Sequence, residues 1–288
     1  MGAKVSRILV MKIVRYRKLD KSIIDFPLID YPEVRFVNDG AYISRQLYWR
    51  GMQGYEYAEA KLYRYLCSCG KIKSVVEMGA NVGYFTIVGA SASDVKYIAV
   101  EANPGTAQYL KANVLLNSLK NVDVIVAALV GEKTDDFVEL FIPIEENDDT
   151  APTGAFVGGG ESINRNSVRS VKVNTVEARS LVSDADIIKL DIEGYEFIVL
   201  NSICDYIVKN RPIIWVEVRR NTIELRNMLS RLSSDESYEI YAIAEHDLYK
   251  VSSDVIKTIV LQEKYNTRDV IIVPSEKSTI ICAYRAEF

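Results

Sequence analysis

Acidic side chains stand where two apolar runs of this 288-residue chain end. Glu77 closes one run and begins a glycine turn of the form E-x-G-x-N-x-G, and Glu101 closes the next run. A carboxylate attracts cations and accepts hydrogen bonds from hydroxyl groups. Because the carboxyl ends of parallel strands meet at one edge of a sheet, where ligands bind, we expect the two acids to share a ligand site.

The glycine turn differs from the turn that binds dinucleotides. A dinucleotide site has a middle glycine that lets the backbone approach a pyrophosphate, whereas this chain has Asn81 between Gly79 and Gly83. Glu77 would repel a pyrophosphate but attract an ammonium group. Glu101 lies 18 residues after Gly83, close to the interval of about 20 at which an acid binds ribose hydroxyls. A nucleoside with a cationic amino-acid end, such as S-adenosylmethionine, matches both acids; the alternative is an ordinary strand–turn–helix.

Further acids are candidates for chemistry at the same edge. Asp191 and Glu193 follow the apolar strand predicted over Ile187–Leu190, and Glu217 stands near the end of a later predicted strand. One acid in such a position can be a helix cap, but acids at several strand ends indicate a shared site. The sole histidine, His246, is a further candidate base because histidine exchanges protons near neutral pH.

Short apolar runs alternate with helical patterns around these acids. Strands are predicted over residues 96–100 and 121–128, with a helix between them that begins near Pro104 and runs to about Asn117. Strands and helices joined by short connections are typical of a parallel sheet covered on both faces. The sequence therefore predicts a doubly wound, Rossmann-like α/β domain over residues 54–288.

Two segments are predicted to be additions to this domain. Residues 1–53 contain Val34–Val37 followed by Asn-Asp-Gly, a hairpin signal that predicts a small β-rich cap. The aromatic residues of 48–57 could reach from this end over a ligand. Residues 145–167 are polar and contain three successive glycines, which predicts a mobile insert near the substrate, with plain disorder as the alternative.

Composition excludes several classes of protein. The net charge of −4 argues against a general nucleic-acid coat, although residues 1–24 carry seven basic residues and one acid. A solvated basic face is the favoured interpretation of that segment, and contact with a phosphate-rich or membrane surface is the alternative. Four cysteines do not make a disulfide framework in a chain of this length, and no apolar stretch approaches 18 residues. We therefore predict a cytoplasmic protein without a membrane span.

Four stretches in combination resemble the FkbM family of S-adenosylmethionine-dependent methyltransferases. They are VVEMGANVGYFT, IAVEANPGTAQYLKANVLLN, KLDIEGYEF and RPIIWVEV, in this order, and the resemblance extends from about residue 55 to 220. The resemblance implies a seven-stranded, mostly parallel class I methyltransferase sheet whose last strand inserts antiparallel. The family motif usually begins with Asp where this chain has Glu77, and either carboxylate can bind an ammonium group.

The resemblance also implies roles for the site residues. Glu77 would bind the methionine ammonium group and Glu101 the ribose hydroxyls, the glycine turn would present its backbone, and two further residues would lie beside the adenine. The residues expected to contact the cofactor are Glu77, Gly79, Asn81, Gly83, Glu101, Asn103 and Ala128.

The expected reaction is methylation of a hydroxyl group on a sugar, a glycoside or another small metabolite. Such a hydroxyl is a poor nucleophile, so a base or a metal must take up its proton near neutral pH. Asp191 is the first candidate for the group beside the methyl, Glu193 and Glu217 are supporting acids, and His246 is an outside candidate. Mg²⁺ could bind acids at this edge, but a ligand cluster is not evident and we name no metal ligand.

Three other functions stay open from the sequence. A methyltransferase for the ribose 2′-hydroxyl of RNA is suggested by the basic N-terminus and by Lys61, but it would need a lysine where this chain has Glu217 and Arg219. A cofactor-binding scaffold without catalysis is possible for any fold of this kind, although the acids argue against it. Oxidation with NAD conflicts with Glu77 and Asn81. The partners expected are a small-molecule or glycan acceptor, with nucleic acid less favoured.

Overall fold

The computed structural model of the protein describes residues 25–28, 31, 33–38, 40–132, 135–143, 156–157 and 168–287. The basic segment 1–24 lies outside these residues, and so does the predicted insert 145–167 apart from residues 156–157. Among the described residues, no helix is both long enough and apolar enough to cross a membrane.

The strands and helices follow the alternation expected from the sequence. The strands are β1 Asp25–Pro27, β2 Arg35–Val37, β3 Ser74–Met78, β4 Lys96–Glu101, β5 Val122–Val126, β6 Ala128–Val130, β7 Phe137–Pro143, β8 Phe156–Val157, β9 Val168–Glu177, β10 Ile187–Leu190, β11 Ile213–Glu217, β12 Tyr238–Ile243, β13 Leu248–Val251 and β14 Asp269–Pro274. The helices are α1 Tyr42–Arg50, α2 Tyr57–Ser68, α3 Tyr84–Ala90, α4 Pro104–Leu116, α5 Ala178–Leu181, α6 Glu196–Ser202, α7 Cys204–Asn210, α8 Ile223–Ser234, α9 Ser253–Ile256, α10 Leu261–Tyr265 and α11 Thr279–Glu287. Short 3-10 turns are Gly51–Gly54 and Ser275–Lys277.

The main sheet has the order β13-β12-β14-β11-β10-β3-β4-β5. Strands β5, β4, β3, β10 and β11 are parallel, and β14 inserts antiparallel between β11 and β12. This confirms the doubly wound, mostly parallel sheet with an antiparallel insertion. The sheet has eight described strands rather than seven because β13 returns antiparallel along β12 after a tight turn, a hairpin that the sequence pattern did not predict.

Both faces of the main sheet are covered. Trp215 points into the cluster that contains the side chains of α2 and α3, whereas its neighbours Ile214 and Val216 point into the cluster on the other face. Successive side chains of a strand alternate between faces, so a strand buried on both sides must be apolar throughout. This explains the continuous apolar runs that predicted these strands.

A second, smaller sheet has the order β6-β9-β7-β8. The sequence predicted one strand over residues 121–128, but β5 ends at Val126 and Ala128 begins β6, which pairs with β9 instead of the main sheet. The chain therefore leaves the main sheet at Ala127. The single predicted strand was wrong because both pieces are equally apolar and hydropathy alone does not mark the change of partner.

The N-terminal cap is only partly β-structure. Val34–Val37 does contain β2, but its antiparallel partner β1 precedes it, and the Asn-Asp-Gly sequence leads into α1 rather than into a second strand. The Asn38 side chain accepts hydrogen bonds from the backbone of Gly40 and from the Ser44 hydroxyl, which fixes this turn. The hairpin signal predicted a second strand after the turn, but in the structure a helix follows it.

Candidate active site

A deep pocket lies at the carboxyl edge of β3, β4 and β10. Measured out to its open mouth, it encloses about 1070 Å³. The lining residues come from the glycine turn, from the ends of these strands, from β6 and β7, and from the cap and the entry to α2. They are Ile43, Tyr55, Glu56, Glu77, Gly79, Ala80, Asn81, Tyr84, Phe85, Val100, Glu101, Ala102, Thr106, Ala127, Ala128, Leu129, Leu140, Lys189, Asp191, Ile192, Glu193 and Tyr195.

The glycine turn uses its backbone N–H groups inside the protein. Those of Gly79 and Ala80 both donate to the carbonyl of Val100, each at 2.9 Å. The N–H of Asn81 donates to the carboxylate of Glu101 at 2.9 Å. The N–H of residue 82 donates to the Asn81 side chain, and that of residue 83 to the carbonyl of Ala80. Because all five N–H groups of residues 79–83 have acceptors, none is left to bind a pyrophosphate.

Gly79 is required by a close approach of two strands. Its φ is +88°, and a Cβ added there would lie 1.9 Å from the carbonyl oxygen of Asp191. This glycine therefore lets the turn pack against the end of β10. The prediction placed it beside the cofactor, and Gly79 and Asn81 do line the pocket, whereas Gly83 is not among the lining residues.

Glu101 holds the turn to the strand beside it. One carboxylate oxygen accepts from the N–H of Asn81, and the other accepts from the N–H of Asn103 at 2.8 Å. Burial raises the pKa of Glu101 to about 7, although both hydrogen bonds lower it. Each carboxylate oxygen can accept more than one hydrogen bond, so Glu101 can still bind hydroxyl groups from the pocket.

Glu77 is buried beneath the turn and also lines the pocket. Its carboxylate accepts hydrogen bonds from the Thr86 hydroxyl at 2.6 Å and from the Tyr97 hydroxyl at 2.5 Å. Burial raises the pKa of Glu77, while Lys189 and these hydrogen bonds lower it. The predicted ammonium contact at Glu77 stays a prediction, and the structure adds an internal network that the sequence did not indicate.

Lys189 is a site residue that was missed. It lies in the middle of β10, pairs in register with Glu77, and is only 1% exposed. Its ammonium group lies 3.8 Å from the carboxylate of Asp191 and 4.4 Å from the centre of the Phe85 ring. Burial lowers the pKa of Lys189, but the surrounding acids, Asp191 first and then Glu77, Asp269 and Glu56, together outweigh it, so the pKa is raised and the side chain stays charged. A lysine inside an apolar strand is almost never buried unless it is paired, and that signal could have found it.

Asp191 and Glu193, two of the predicted catalytic acids, line the pocket. Asp191 faces Lys189, and the side chain of Glu193 forms an ion pair with Arg219. Glu193 has a φ of 59°, in the left-handed region that non-glycine residues rarely adopt. Strained backbone of this kind is concentrated at functional sites.

Glu217 and His246 are not brought into the pocket. Glu217 forms ion pairs with Arg219 at 2.8 Å and with Arg268 at 3.3 Å, and burial together with Asp191 raises its pKa to about 7. The His246 side chain is 86% exposed, on the turn between β12 and β13, where it lines a separate depression with Lys61. His246 is thus remote from Asp191 and Glu193, whereas Glu217 lies just outside the pocket and shares Arg219 with Glu193.

Of the two residues predicted to lie beside the adenine, one lines the pocket and the other does not. Ala128 lines the pocket together with Leu129 and Leu140, so an apolar wall is present. Asn103 is buried and is the N-cap of α4, where its side chain accepts from the N–H of Gly105 at 3.0 Å. It does not line the pocket, but its side-chain amide nitrogen has no hydrogen-bond partner among the described residues.

The cap and the entry to α2 contribute Ile43, Tyr55 and Glu56 to the pocket. Of the aromatic residues of 48–57, Tyr55 lines the pocket, and its ring lies 5.3 Å from that of Tyr84; the expectation that this segment reaches over a ligand stays a prediction. Glu56 was missed, because its neighbours in the sequence read as the start of an amphipathic helix. No group of three or more metal-binding side chains occurs within the described ranges.

Comparison with known families identifies the family of this chain. The family model described as a methyltransferase FkbM domain matches residues 77–247, which is more than half of the chain. The chain belongs to the FkbM methyltransferase family. The protein is therefore a methyltransferase, and the match includes the glycine turn, Glu101, Lys189 and Asp191. No curated protein matches the chain.

Solved structures similar to this FkbM-family chain include three whose names are informative. One is a methyltransferase FkbM from Methylobacillus flagellatus KT, with 13% identity, a TM-score of 0.45, and coverage of 94% of this chain and 60% of that chain. A cofactor-bound protein, Rv0187 from MTB, has 12% identity and a TM-score of 0.44, with coverage of 75% and 79%. An O-methyltransferase from Bacillus cereus in complex with SAH has 12% identity and a TM-score of 0.43, with coverage of 75% and 80%.

Proposed function

We propose that this FkbM-family methyltransferase uses S-adenosylmethionine and methylates a hydroxyl group of a sugar, a glycoside or another small metabolite. The observation that carries the cofactor proposal is the glycine turn of residues 79–83. Its N–H groups are all used within the protein, while carboxylates line the pocket. A nucleoside that has a cationic end and no phosphate matches this arrangement, and NAD does not.

The lining residues offer a contact for each part of that cofactor. Glu101 can accept hydrogen bonds from the ribose hydroxyls, and the apolar wall of Ala128, Leu129 and Leu140 suits an adenine ring. Glu77 and Asp191 supply negative charge for the ammonium and sulfonium groups. When bound there, the cofactor supplies an electrophilic methyl group, and the protein has to orient an acceptor oxygen towards it.

The acceptor side of the proposal is supported by the residues near Asp191. The contact with Lys189 holds the Asp191 side chain at the pocket, and Glu193 and Tyr195 also line it. These groups can hydrogen bond to a neutral acceptor that carries several hydroxyl groups. Acids outnumber basic residues among the lining residues, and this charge would repel the phosphates of RNA. Lys61, which suggested an RNA substrate, lines a different depression.

Titration calorimetry with S-adenosylmethionine tests the cofactor proposal. In Glu101→Ala, the ribose contact is lost, and we expect no measurable binding. Glu139→Ala is the control, because Glu139 is exposed on β7 and does not line the pocket; it should bind as the wild type does. Since Glu101 also holds the turn, thermal unfolding of both variants separates loss of the fold from loss of binding. A folded Glu101→Ala protein with unchanged affinity would refute this assignment.

A panel of acceptors tests the reaction. Sugars, glycosides and capped RNA are incubated with methyl-labelled cofactor, with and without a chelator. We expect transfer to a neutral hydroxyl compound, no transfer to RNA, and no effect of the chelator. Efficient transfer to RNA would overturn the acceptor class. Tight cofactor binding without transfer to any compound would instead support a scaffold. The cytoplasmic location and the boundary at residues 53 and 54 stay predictions.

A further inference from the structure

Glu56 occupies an unusual position at the entry of α2. It is the N-cap residue of this helix and has a φ of 42°, in the left-handed region where a non-glycine residue is strained. Such strain persists only where the surroundings impose it. Glu56 is half-buried and lines the pocket together with Asp191. The fold therefore holds this carboxyl group at the pocket at the expense of local stability.

The other carboxylates of the pocket already have partners. Glu77 accepts from Thr86 and Tyr97, Glu101 accepts from two backbone N–H groups, and each of the other two is paired with a basic side chain. Those two pairs are Asp191 with Lys189 and Glu193 with Arg219. By contrast, the described residues place no basic group within 4.0 Å of the Glu56 carboxylate. The Tyr55 hydroxyl donates a hydrogen bond to this carboxylate, and because a carboxylate can accept about four hydrogen bonds, Glu56 can still accept one from a ligand.

The charges around Glu56 favour its protonated form. It faces Asp269 and Asp191 across the pocket edge and Glu59 on its own helix, with Lys189 as the opposing positive charge. Burial, followed by Asp269, raises the pKa of Glu56 to about 8, although Lys189 lowers it. A base works best when its pKa lies near the pH of the reaction, and a carboxyl group in this range can both bind and release a proton.

We infer that Glu56 is a catalytic residue that takes the proton from the acceptor hydroxyl. The inference rests on the proposed function. In this step the acceptor oxygen forms a bond to the methyl carbon while the carbon–sulfur bond breaks and its electron pair stays on sulfur. The hydroxyl proton passes to the Glu56 carboxylate. Asp191, held in place by Lys189, then orients the reacting groups and supplies negative charge for the cationic cofactor. This role differs from the one that its sequence motif suggested.

Two pH effects follow. The carboxylate form of Glu56 increases as the pH rises through about 8, so methyl transfer should increase with pH over that range. A sulfonium cation that binds beside Glu56 would favour the charged carboxylate. Binding of S-adenosylmethionine should therefore release protons, and S-adenosylhomocysteine, which lacks the sulfonium charge, should release fewer.

Calorimetry in two buffers of different ionisation enthalpy measures this release without an acceptor. We compare wild type, Glu56→Gln and Glu59→Gln near pH 7.5. Glu59 is a matched control because it lies one turn further along α2, its pKa is raised to about 7 by burial, and it does not line the pocket. We expect the excess of protons released with S-adenosylmethionine over S-adenosylhomocysteine to disappear in Glu56→Gln and to persist in Glu59→Gln. The same excess in all three proteins would overturn the inference.

Turnover supplies the second readout, with methyl β-glucoside as the neutral probe. For Glu56→Gln we expect a fall in kcat of about 100-fold or more, loss of the rise with pH, and an unchanged affinity for S-adenosylhomocysteine, which lacks the sulfonium charge. Glu56→Asp should regain part of the rate and of its pH dependence. Glu59→Gln should keep the rate and the rise with pH, with the rise at a slightly lower pH because the charge of Glu59 no longer raises the pKa of Glu56. A Glu56→Gln protein with wild-type turnover and pH profile would exclude Glu56 as the base. Absence of cofactor binding in the wild type would instead refute the proposed function.

Discussion

The pocket has a turn side, formed by residues 77–83 with Glu101, and an acidic side, where Glu56, Lys189 and Asp191 meet. On the turn side, backbone N–H groups and acceptors pair with one another at 2.8 to 2.9 Å. On the acidic side, carboxyl groups from distant parts of the chain surround one buried ammonium group. The first side is stabilised by complete hydrogen bonding, whereas the second depends on a balance of charges.

This difference indicates a division of labour. A turn whose polar groups are already paired does not have to rearrange when a ligand binds, so it offers a rigid surface to a cofactor. On the acidic side, the raised pKa of Glu56 lets this carboxyl group change its protonation during a reaction. We expect perturbations of the acidic side to act through charge and those of the backbone of the turn side to act through packing, while the buried carboxyl groups of Glu77 and Glu101 add a pH dependence to the turn side.

The largest expected effect is that of Lys189→Met. Removing the buried ammonium group leaves Glu77 and Asp191 without their positive neighbour, so the free energy of unfolding should fall by about 3 to 5 kcal/mol. Denaturant unfolding measures this change. Lys96→Met is the control, because the side chain of Lys96 is 59% exposed in its ion pair with Asp184, and it should change stability by about 0.5 kcal/mol or less. An equally small effect at Lys189 would contradict the balance of charges.

Gly79→Ala tests the packing of the turn side. The new Cβ would meet the carbonyl oxygen of Asp191 at 1.9 Å in a backbone of positive φ, so we expect a loss of about 2 to 5 kcal/mol. In Gly105→Ala, the nearest atom to the new Cβ is 3.4 Å away and φ needs no glycine. That control should be neutral or slightly stabilising in the same urea titration. Similar losses in the two variants would show that the turn and β10 are not closely packed.

The raised pKa values predict how stability depends on pH. The pKa of Glu56 is about 8 and those of Glu59 and Glu101 are about 7, all above the ordinary value. The folded protein therefore binds these protons more tightly than the unfolded chain does, and stability should fall as the pH rises from about 4.5 to about 8. Unfolding in urea at pH 5.5 and 8.5 measures the fall. In Glu59→Gln the fall should be smaller by about 2 kcal/mol; a stability that rises with pH would be inconsistent with these shifts.

The smallest expected effect is at Asn103, behind the turn side. Asn103→Ala removes the acceptor for the N–H of Gly105, and loss of such an N-cap costs about 1 kcal/mol. Asn103→Ser keeps a capping oxygen and should retain most of that stability. Thermal unfolding of both variants decides whether the side chain acts as a cap. An equal fall of Tm in the two variants would indicate that the buried amide nitrogen of Asn103, rather than its capping oxygen, stabilises the protein.

Local patterns in the sequence were sufficient for the turn side. The apolar strand, the glycine turn and the acid that ends the next strand are close in the chain, and their spacing predicted both the fold class and the roles of Asn81 and Glu101 as pocket residues. The same reasoning placed Asp191 and Glu193 at this edge, because a strand end followed by a glycine turn has one geometry in a parallel sheet. The sequence also argued against a dinucleotide because Asn81 replaces the middle glycine, and the paired N–H groups of the turn add a second reason.

Only the tertiary structure assembled the acidic side. Glu56 comes from the entry of α2, Lys189 from the middle of β10 and Asp269 from the start of β14, and no local pattern relates these positions. His246 was attractive by residue type and Glu217 by its strand end, yet packing places them outside the pocket. Residue type and spacing determine which side chains a strand end presents. The pKa values of those side chains depend on which distant segments pack beside them, because desolvation and charge interactions act through space rather than along the chain.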